Sequence, residues 1–148
     1  MRILVQRVSK ASVEVEEKVV GAVGKGALVL VGITHDDTME EVVWLANKFV
    51  SLRLFGRGED GFQDSIVECG GEVLIVSQFT LYADCLSGRR PSFTKAAAPS
   101  MAKELYEQFI CEVQKKGIFV QTGVFGAKMS VSLVNEGPVT ILLERNHS

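Results

Sequence analysis

The sequence predicts an α+β fold, a single domain over residues 1–148 in which two main helices pack on a mixed or largely antiparallel sheet that curls toward a barrel. Two observations favour this class. Segments with the alternating or continuously apolar character of β-strands occupy both ends of the chain. Only two stretches have the spacing of long amphipathic helices, and further strand-like segments separate them.

The first third of the chain is predicted to form strands followed by one helix. Residues 2–17 alternate well enough for two strands, and glycines punctuate the chain before an apolar strand at 27–33. Asp36-Asp37-Thr38, followed by Glu40 and Glu41, has the pattern of a capping box. The helix is expected to run to about Ser51. Its predicted buried stripe consists of Val42, Val43, Ala46, Phe49 and Val50.

The remainder is predicted to hold a central strand, a second helix and three last strands. A short strand is expected at 52–55 and a turn at 56–61, which lacks the Lys-Ser/Thr of a phosphate-binding loop. The apolar run 73–76 predicts a buried strand. Pro99 suits the first turn of the second helix, which ends near Gly117. The buried face of that helix is predicted to contain Ala102, Leu105, Phe109 and Val113, and the last strands are expected at 119–122, 129–134 and 139–144.

Composition excludes several classes of function. Hydrophobic residues make up 47% and charged residues 23%, which is typical of a soluble globular protein. No run approaches the ~18 apolar residues of a membrane span, and the first residues turn polar too soon for a signal peptide. Three cysteines without CxxC spacing and only two histidines argue against a disulfide framework, a metal site or a Ser-His triad. A reducing cytoplasm is the expected location.

Polar side chains end the central strand, within the stretch EVLIVSQFTLYAD at 72–84. Ser77, Gln78 and Thr80 stand where the apolar run should finish, and rigid strand ends are where folds place chemistry. A strand with one solvent-facing edge explains the pattern equally well. Thr80 is the natural candidate nucleophile, but it needs a base that the nearby sequence does not supply. A buried threonine whose hydroxyl pairs with the backbone is the favoured interpretation.

Two other segments have features that suit ligand binding. A cis Gly137-Pro138 bond could turn two successive carbonyls toward a primary ammonium group, although a tight turn between two strands is as good an explanation. The net charge is −2, yet the stretch 85–98 contains Arg89, Arg90 and Lys95 and no acidic residue. Such a local patch can bind phosphate; a solvated basic loop is the alternative.

Four segments together resemble the D-aminoacyl-tRNA deacylase family: SQFTLYAD (77–84), GRRPSF (88–93), GVFGAKM (123–129) and LVNEGPVT (133–140). The opening MRILVQRVSKASV also looks like that family's start, so the resemblance covers essentially the whole chain. The pairing of SQxTL with NxGPxT in this order is highly specific. Ser87 stands where the family commonly has a lysine, and Phe62-Gln63-Asp64 where it often has Lys-Met-Asn.

The resemblance implies a hydrolase of carboxylic esters that releases a D-amino acid from the 3′ end of tRNA and needs no metal or organic cofactor. It implies a homodimer with a barrel-like fold and active sites at the subunit interface. By motif, the pocket floor and catalytic groups would be Ser77, Gln78, Phe79 and Thr80, largely through their backbone. The residues for chiral selection and pocket lining would be Gly137, Pro138, Phe125 and Met129, and those near the tRNA terminus Arg89, Arg90 and Lys95.

Two chemical routes and two other functions stay open. In the first route, Thr80 attacks the ester. In the second, water attacks while backbone N–H groups near Phe79 and Thr80 stabilise the oxyanion and the ribose 2′-hydroxyl assists proton transfer. The lack of a base near Thr80 favours the water route. A Gly-Pro wall would exclude L side chains but would not reject glycine, so cleavage of glycyl-tRNA is predicted. The alternatives are a noncatalytic module that binds the tRNA 3′ end, and a deacylase of altered chirality with a trans Gly-Pro.

Overall fold

The described residues form six strands in one mixed sheet around a long first strand. The computed structural model of the chain describes residues 1–56, 59 and 61–148. The strands are β1 (Arg2–Val15), β2 (Lys18–Val23), β3 (Gly26–Gly32), β4 (Glu72–Ser77), β5 (Val120–Thr122) and β6 (Ser130–Glu144). Strand β1 pairs antiparallel with β2, β3 and β6, whereas β3 pairs parallel with β4 and β4 with β5. The predicted α+β class and mixed sheet are confirmed.

The sheet curls until its two ends almost meet. On one edge, β1 pairs first with β3 through residues 2–8 and then with β2 through residues 11–15. Strand β2 therefore folds back toward β5, at the other end of the sheet order. A Cβ atom added to Gly21 of β2 would lie 2.7 Å from the carbonyl oxygen of Thr122 in β5. Glycine thus permits a backbone approach that closes most of the barrel.

Two pairs of predicted strands are single strands in the structure. Residues 2–15 form one strand because β6 pairs with nearly its whole length. The chain reverses only at Glu16 and Glu17, whose φ angles of 51° and 66° are left-handed. Residues 130–144 likewise form one strand, so the prediction of separate strands at 129–134 and 139–144 is wrong, as is the alternative of a tight turn at Gly137-Pro138. That dipeptide lies in a bulge of β6.

Both predicted helices are present, with small corrections. Helix α1 (Met39–Ser51) begins after the N-cap Thr38, whose capping box uses Glu41. Val43, which was predicted to be buried, is 37% exposed, and Leu45, which was not in the predicted stripe, lies in the core. A short helix that the sequence analysis missed, α2 (Ile66–Cys69), follows, and the strand predicted at 52–55 is only an isolated bridge between Phe55 and Asp64. Of the turn predicted at 56–61, Arg57, Gly58 and Asp60 lie outside the described residues.

The second long helix, α3 (Pro99–Gln114), begins with a proline as predicted. Its buried residues are Leu105, Tyr106, Phe109 and Val113, whereas Ala102 is half-buried. Helices α1 and α3 pack on one face of the sheet, against Ile3, Val5 and Ile75 among others. A second apolar cluster, which contains Val8, Leu28 and Leu74, fills the opposite face. None of the helices described is both long enough and apolar enough to cross a membrane.

Candidate active site at the end of strand β4

The polar motif that follows the central strand forms a tight turn. Ser77 is the last residue of β4, and the amide of Gln78 donates to the carbonyl oxygen of Val31 in β3 at 2.7 Å. The chain then bends into a 3-10 turn, Phe79–Tyr82. A strand that continues directly into a hydrogen-bonded turn holds its polar groups on a rigid support, which is what a catalytic site requires.

Two backbone amides at the start of this turn have no hydrogen-bond acceptor among the described residues. They belong to Phe79 and Thr80. The first N–H groups of any helical segment lack a partner within the segment, and no side chain caps them here. Phe79 is 56% exposed, so these donors lie near the surface. Adjacent free N–H groups are a suitable binding place for a developing oxyanion.

The Thr80 hydroxyl accepts a hydrogen bond from the side-chain amide of Gln78. Thr80 is exposed, so the prediction of a buried threonine paired to the backbone is wrong. Neither histidine is placed to activate it. His35 contacts the carbonyl oxygen of Thr94 at 2.6 Å, and His147 contacts Glu41 at 2.7 Å. Among the described residues, no base is hydrogen-bonded to the Thr80 hydroxyl.

An apolar cavity of about 450 Å³ opens beside the turn. Ser77 and Phe79 border it from the strand end, and the rings of Phe93, Tyr106 and Phe125 form much of the remaining wall. Phe79 and Phe93 meet edge to face, with centroids 5.1 Å apart. A cavity with aromatic walls and polar groups at one end suits a ligand with an apolar body and a polar reacting centre.

The cavity wall formed by residues 96–98 is hydrogen-bonded to the loop between β3 and α1. The hydroxyl of Thr34 donates to the carbonyl oxygen of Lys95 at 2.5 Å, and the amide of Ala97 donates to the carbonyl oxygen of Ile33 at 3.0 Å. The carboxylate of Asp37 in turn accepts the amide of Thr34 at 2.7 Å. These bonds fix the segment that follows Phe93 against the body of the protein.

The second motif, Gly137-Pro138, is not part of this cavity in the same chain. In the β1–β6 pairing, Gln6 faces Thr140 and Val8 faces Asn135, so a single residue of β1 stands opposite residues 136–139 of β6. The Gly137-Pro138 bond is cis, and both residues are exposed. The described residues that line the cavity include none from β6.

The side chain of Asn135 braces this bulge from within. Its Oδ1 accepts the amide of Val139 at 2.9 Å, and its Nδ2 donates to the Thr140 hydroxyl at 2.8 Å. The bulge is therefore an ordered projection with an exposed tip, and the NxGPxT pattern contains the residues that hold it.

The two predicted pocket residues between β5 and β6 separate in the structure. Phe125 lines the cavity and packs against Tyr106, with ring centroids 5.7 Å apart. Met129 instead packs against the second apolar cluster, and its sulfur would lie 2.5 Å from a Cβ atom added to Gly123. Met129 is not among the residues that line the cavity.

The basic segment contains a loop, residues 84–92, that lies beside the cavity and is called the arch below. Asp84 and Ser92 exchange backbone hydrogen bonds of 2.8 Å each, which closes the arch. Lys95 lies 3.3 Å from the carboxylate of Asp84, whose pKa is lowered first by the backbone N–H of Leu86 and then by Lys95. Arg89 and Arg90 are exposed and have no ion pair within the described residues. Their charges are thus available to an anionic ligand.

One group of potential metal ligands occurs elsewhere in the described part of the chain, at the start of helix α1. It consists of Glu40, Glu41 and His147. The Glu41 oxygens accept the Thr38 amide and hydroxyl at 2.7 Å and contact His147. Burial raises the pKa of Glu41, but the hydrogen bonds from Thr38 outweigh it and lower the value to about 2. The cluster is accounted for by helix capping.

Sequence reasoning missed Tyr106 and the small residues at 96–98 that line the cavity. Tyr106 lies four residues after Ala102 on helix α3, so helical spacing could have placed it on the buried face. Its hydroxyl donates to the carbonyl oxygen of Ile75 at 2.9 Å. The alanines show no pattern that distinguishes a pocket wall from a loop, and only the fold reveals their place.

Comparisons with known proteins agree on one family. The family model described as D-Tyr-tRNA(Tyr) deacylase matches residues 4–144. A protein of Exiguobacterium sp. named D-aminoacyl-tRNA deacylase is 56% identical, with 99% of each chain covered. One of the same name from Thermotoga petrophila is 57% identical, with 97% of each chain covered.

Two solved structures have the same fold. One, described as c-Myc DNA Unwinding Element Binding Protein, superposes with a TM-score of 0.90 at 38% identity, covering 99% of this chain and all of that one. The other is described as a probable eukaryotic D-amino acid tRNA deacylase. It gives a TM-score of 0.84 at 20% identity, covering 96% of this chain and 97% of that one.

Proposed function

Because this chain belongs to the D-Tyr-tRNA(Tyr) deacylase family, we propose that it hydrolyses the ester bond between a D-amino acid and the 3′ end of tRNA. The observation that carries the proposal is the apolar cavity at the end of β4, bordered by Ser77 and Phe79 and adjacent to two free backbone amides. An aminoacyl ester is already reactive, so such a site needs positioned donors more than strong chemical groups.

Water is the proposed nucleophile. The amides of Phe79 and Thr80 would stabilise the oxyanion, and the ribose 2′-hydroxyl next to the ester would assist proton transfer. The Thr80 hydroxyl is a poor alternative because it accepts a hydrogen bond from Gln78, which draws electron density away from the oxygen. No general base is hydrogen-bonded to it within the described part of the chain.

A second copy of the chain would complete the site. Gly137 and Pro138 are exposed at the tip of a braced bulge and outside their own chain's cavity. Strand β6 pairs only with β1 among the described strands, and none of its 15 residues is fully buried. Its apolar residues Val134 and Leu142 are 47% and 54% exposed. A long strand with one edge unpaired among the described strands, and with two exposed apolar side chains, is suited to cover by another subunit.

Selection between D- and L-substrates would come from exclusion. If the carbonyls of the partner's Gly-Pro segment bind the α-ammonium and the β4 end binds the ester, the substrate Cα has two directions left. A D side chain points to open space, whereas an L side chain points into the bulge and clashes with it. Glycine has no side chain to reject, so glycyl-tRNA should be cleaved as well.

The other residues have supporting parts in this proposal. Phe125 contributes to the cavity wall. Met129 packs against the second apolar cluster and so supports the segment that contains Phe125. Arg89 and Arg90 would bind phosphates of the tRNA terminus, while Lys95 orients the arch through Asp84. No metal or organic cofactor is required, and a cytoplasmic location stays a prediction.

The decisive experiment compares one tRNA charged with different amino acids. Purified protein is incubated with D-alanyl-, L-alanyl- and glycyl-tRNA, and the release of the labelled amino acid is followed. The expected result is rapid release of D-alanine and glycine, with L-alanyl-tRNA left uncleaved. Equal release of D- and L-alanine would eliminate the steric filter, and no release of any would eliminate the deacylase.

A noncatalytic module that binds the tRNA 3′ end is the alternative. It would bind RNA through Arg89, Arg90 and Lys95 and release no amino acid. The free amides beside the cavity favour the enzyme, since binding of an RNA end alone does not require them. A deacylase of the opposite chirality would reverse the order of the alanine substrates in the same experiment.

A further inference from the structure

The side chain of Arg2 joins three elements beneath the catalytic turn. Its Nη1 donates to the carbonyl oxygen of Leu81 at 2.7 Å, and its guanidinium lies 4.5 Å from the ring centroid of Tyr82. Its Nε is ion-paired with Glu144. Leu81 and Tyr82 are the last two residues of the turn that begins with Phe79. One guanidinium therefore contacts the turn by both a hydrogen bond and a ring face.

The turn also rests on a glycine of the strand beside Arg2. Gly32 faces Arg2 in the β1–β3 pairing. A Cβ atom added to Gly32 would lie 2.9 Å from the Cβ of Leu81 and 3.2 Å from the carbonyl oxygen of Gln78. Because the glycine has no side chain, the turn can lie directly on strand β3. Arg2 then closes over it from the neighbouring strand β1.

Glu144 fixes the direction of the arginine. It faces Arg2 in the β1–β6 pairing and receives its Nε–H, which leaves Nη1 directed at Leu81. The pair is only one-third exposed, with accessibilities of 34% for Arg2 and 35% for Glu144. A planar guanidinium can donate in two directions and stack on a ring at the same time, and a lysine cannot.

We propose that Arg2, held by Glu144 and stacked on Tyr82, is a positioning residue that sets the orientation of the Phe79 and Thr80 amides through the turn. A 3-10 turn of four residues has little stability of its own, because its hydrogen bonds are few and poorly aligned. Fixing the carbonyl of Leu81 and the ring of Tyr82 limits how far the amides of Phe79 and Thr80 can move. This inference rests on the proposed deacylase function.

The test uses three variants and a matched control. Arg2→Met keeps the aliphatic contact with Tyr82 and removes the hydrogen bond and the charge. Arg2→Lys restores the charge alone, and Glu144→Gln weakens the ion pair while leaving Arg2 in place. The control is Arg53→Met, because Arg53 is an exposed arginine that does not line the cavity. For each protein, kcat and KM are measured with D-alanyl-tRNA, together with the amide NMR signals of Phe79 and Thr80.

Misplacement of the amides should lower kcat and leave KM little changed, since it affects the transition state more than substrate binding. For Arg2→Met a fall of up to about a hundredfold is expected. Arg2→Lys and Glu144→Gln should have smaller effects, and Arg53→Met none. The Phe79 and Thr80 signals should shift in the Arg2 and Glu144 variants only.

Several results would overturn the proposal. These are an unchanged kcat in Arg2→Met, an equal fall in Arg53→Met, or a loss of kcat without movement of the two amide signals. If Arg2→Met fails to fold, unchanged amide signals and kcat in Glu144→Gln decide against it. If the wild-type protein releases no amino acid, the deacylase proposal fails, but the NMR signals still test the positioning by Arg2.

Discussion

Arg7 of strand β1 donates from its Nε to the carbonyl oxygen of Glu136, the residue that precedes Gly137, at 3.0 Å. Arg7 is the one residue of β1 that stands opposite the bulge at 136–139. Its Nη1 also donates to the carbonyl oxygens of Leu54 and Gly61, at 3.0 and 2.9 Å. A single side chain thus connects the base of the exposed bulge with the segment that follows helix α1.

Replacing Arg7 with methionine should loosen the bulge. Three carbonyl groups lose a charged donor, and hydrogen bonds to charged groups contribute about 1.5–3 kcal/mol each when measured singly. Because the site is partly exposed, we expect a loss of about 2 kcal/mol in the free energy of unfolding. The measurement is urea unfolding, together with the ratio of D- to L-alanyl-tRNA cleavage, which should fall as the filter loses its fixed position.

Lys10→Met is the matched control, since Lys10 is an exposed cation on the same strand. It should change neither the stability nor the ratio by a comparable amount. A wild-type ratio in a folded Arg7→Met protein would show that the bulge does not depend on this arginine.

The periodic parts of the fold were predictable, whereas the breaks in the sheet were not. The stripe of apolar residues and the capping pattern at residues 36–38 predicted helix α1 with nearly its observed bounds, because both are local properties of the sequence. The merging of two predicted strands into β6 depends on pairing with β1, which is distant in sequence. Proline and glycine signalled an interruption at 137–138, but could not tell a bulge from a turn.

The candidate site shows the same limit. Ser77 and Thr80 were located by the point at which polar residues end a buried strand. The arginines that support the two motifs, Arg2 and Arg7, look like ordinary charged positions of an alternating strand. Their roles follow from what lies across the sheet, at Leu81 and Glu136, and that information is tertiary.

Removal of the Thr80 hydroxyl should leave the enzyme active. If water attacks and the Thr80 backbone supplies the donor, Thr80→Ala retains the amide and should lose no more than about tenfold in kcat, the value of one weakened hydrogen bond. Loss of a true nucleophile costs on the order of 10⁶ in kcat. Single-turnover cleavage of D-alanyl-tRNA separates the two cases, and a complete loss with intact tRNA binding would establish Thr80 as the nucleophile.

Acid should weaken the fold through Glu41. Its pKa in the folded protein is about 2, below its ordinary value of 4.5, so its stabilising effect is present above pH 4.5 and is lost as the pH falls toward 2. The unfolding equilibrium should shift by up to about tenfold for each pH unit in that window. The raised pKa of His147 keeps that ring protonated throughout it.

Thermal unfolding of the wild type and Glu41→Gln between pH 6 and pH 3 measures this effect. The Tm advantage of the wild type should be largest at pH 6 and shrink below pH 4.5. Glu40→Gln is the control, because Glu40 is 79% exposed and lies 3.8 Å from His147. A constant Tm difference between wild type and Glu41→Gln across this range would contradict the assignment.

Arg89 and Arg90 should act on substrate binding and not on the chemical step. The double variant Arg89→Met/Arg90→Met leaves the arch closed by Asp84 and removes two charges that have no ion pair within the described residues. We expect KM for D-alanyl-tRNA to rise with kcat nearly unchanged. In a plot of log KM against the logarithm of the salt concentration, the slope should decrease by about 0.7 for each phosphate that the variant no longer binds. This is the value for single-stranded nucleic acids.

The control for this variant is Lys116→Met, an exposed cation after helix α3 that should change neither quantity. Lys95→Met is informative for a different reason: it frees the Asp84 carboxylate and so introduces an uncompensated negative charge beside the bound RNA. Its effect on KM should therefore exceed that of either single arginine variant, although Lys95 itself is already paired. If the double arginine variant binds and cleaves like the wild type at every salt concentration, the tRNA end must approach the cavity from another side.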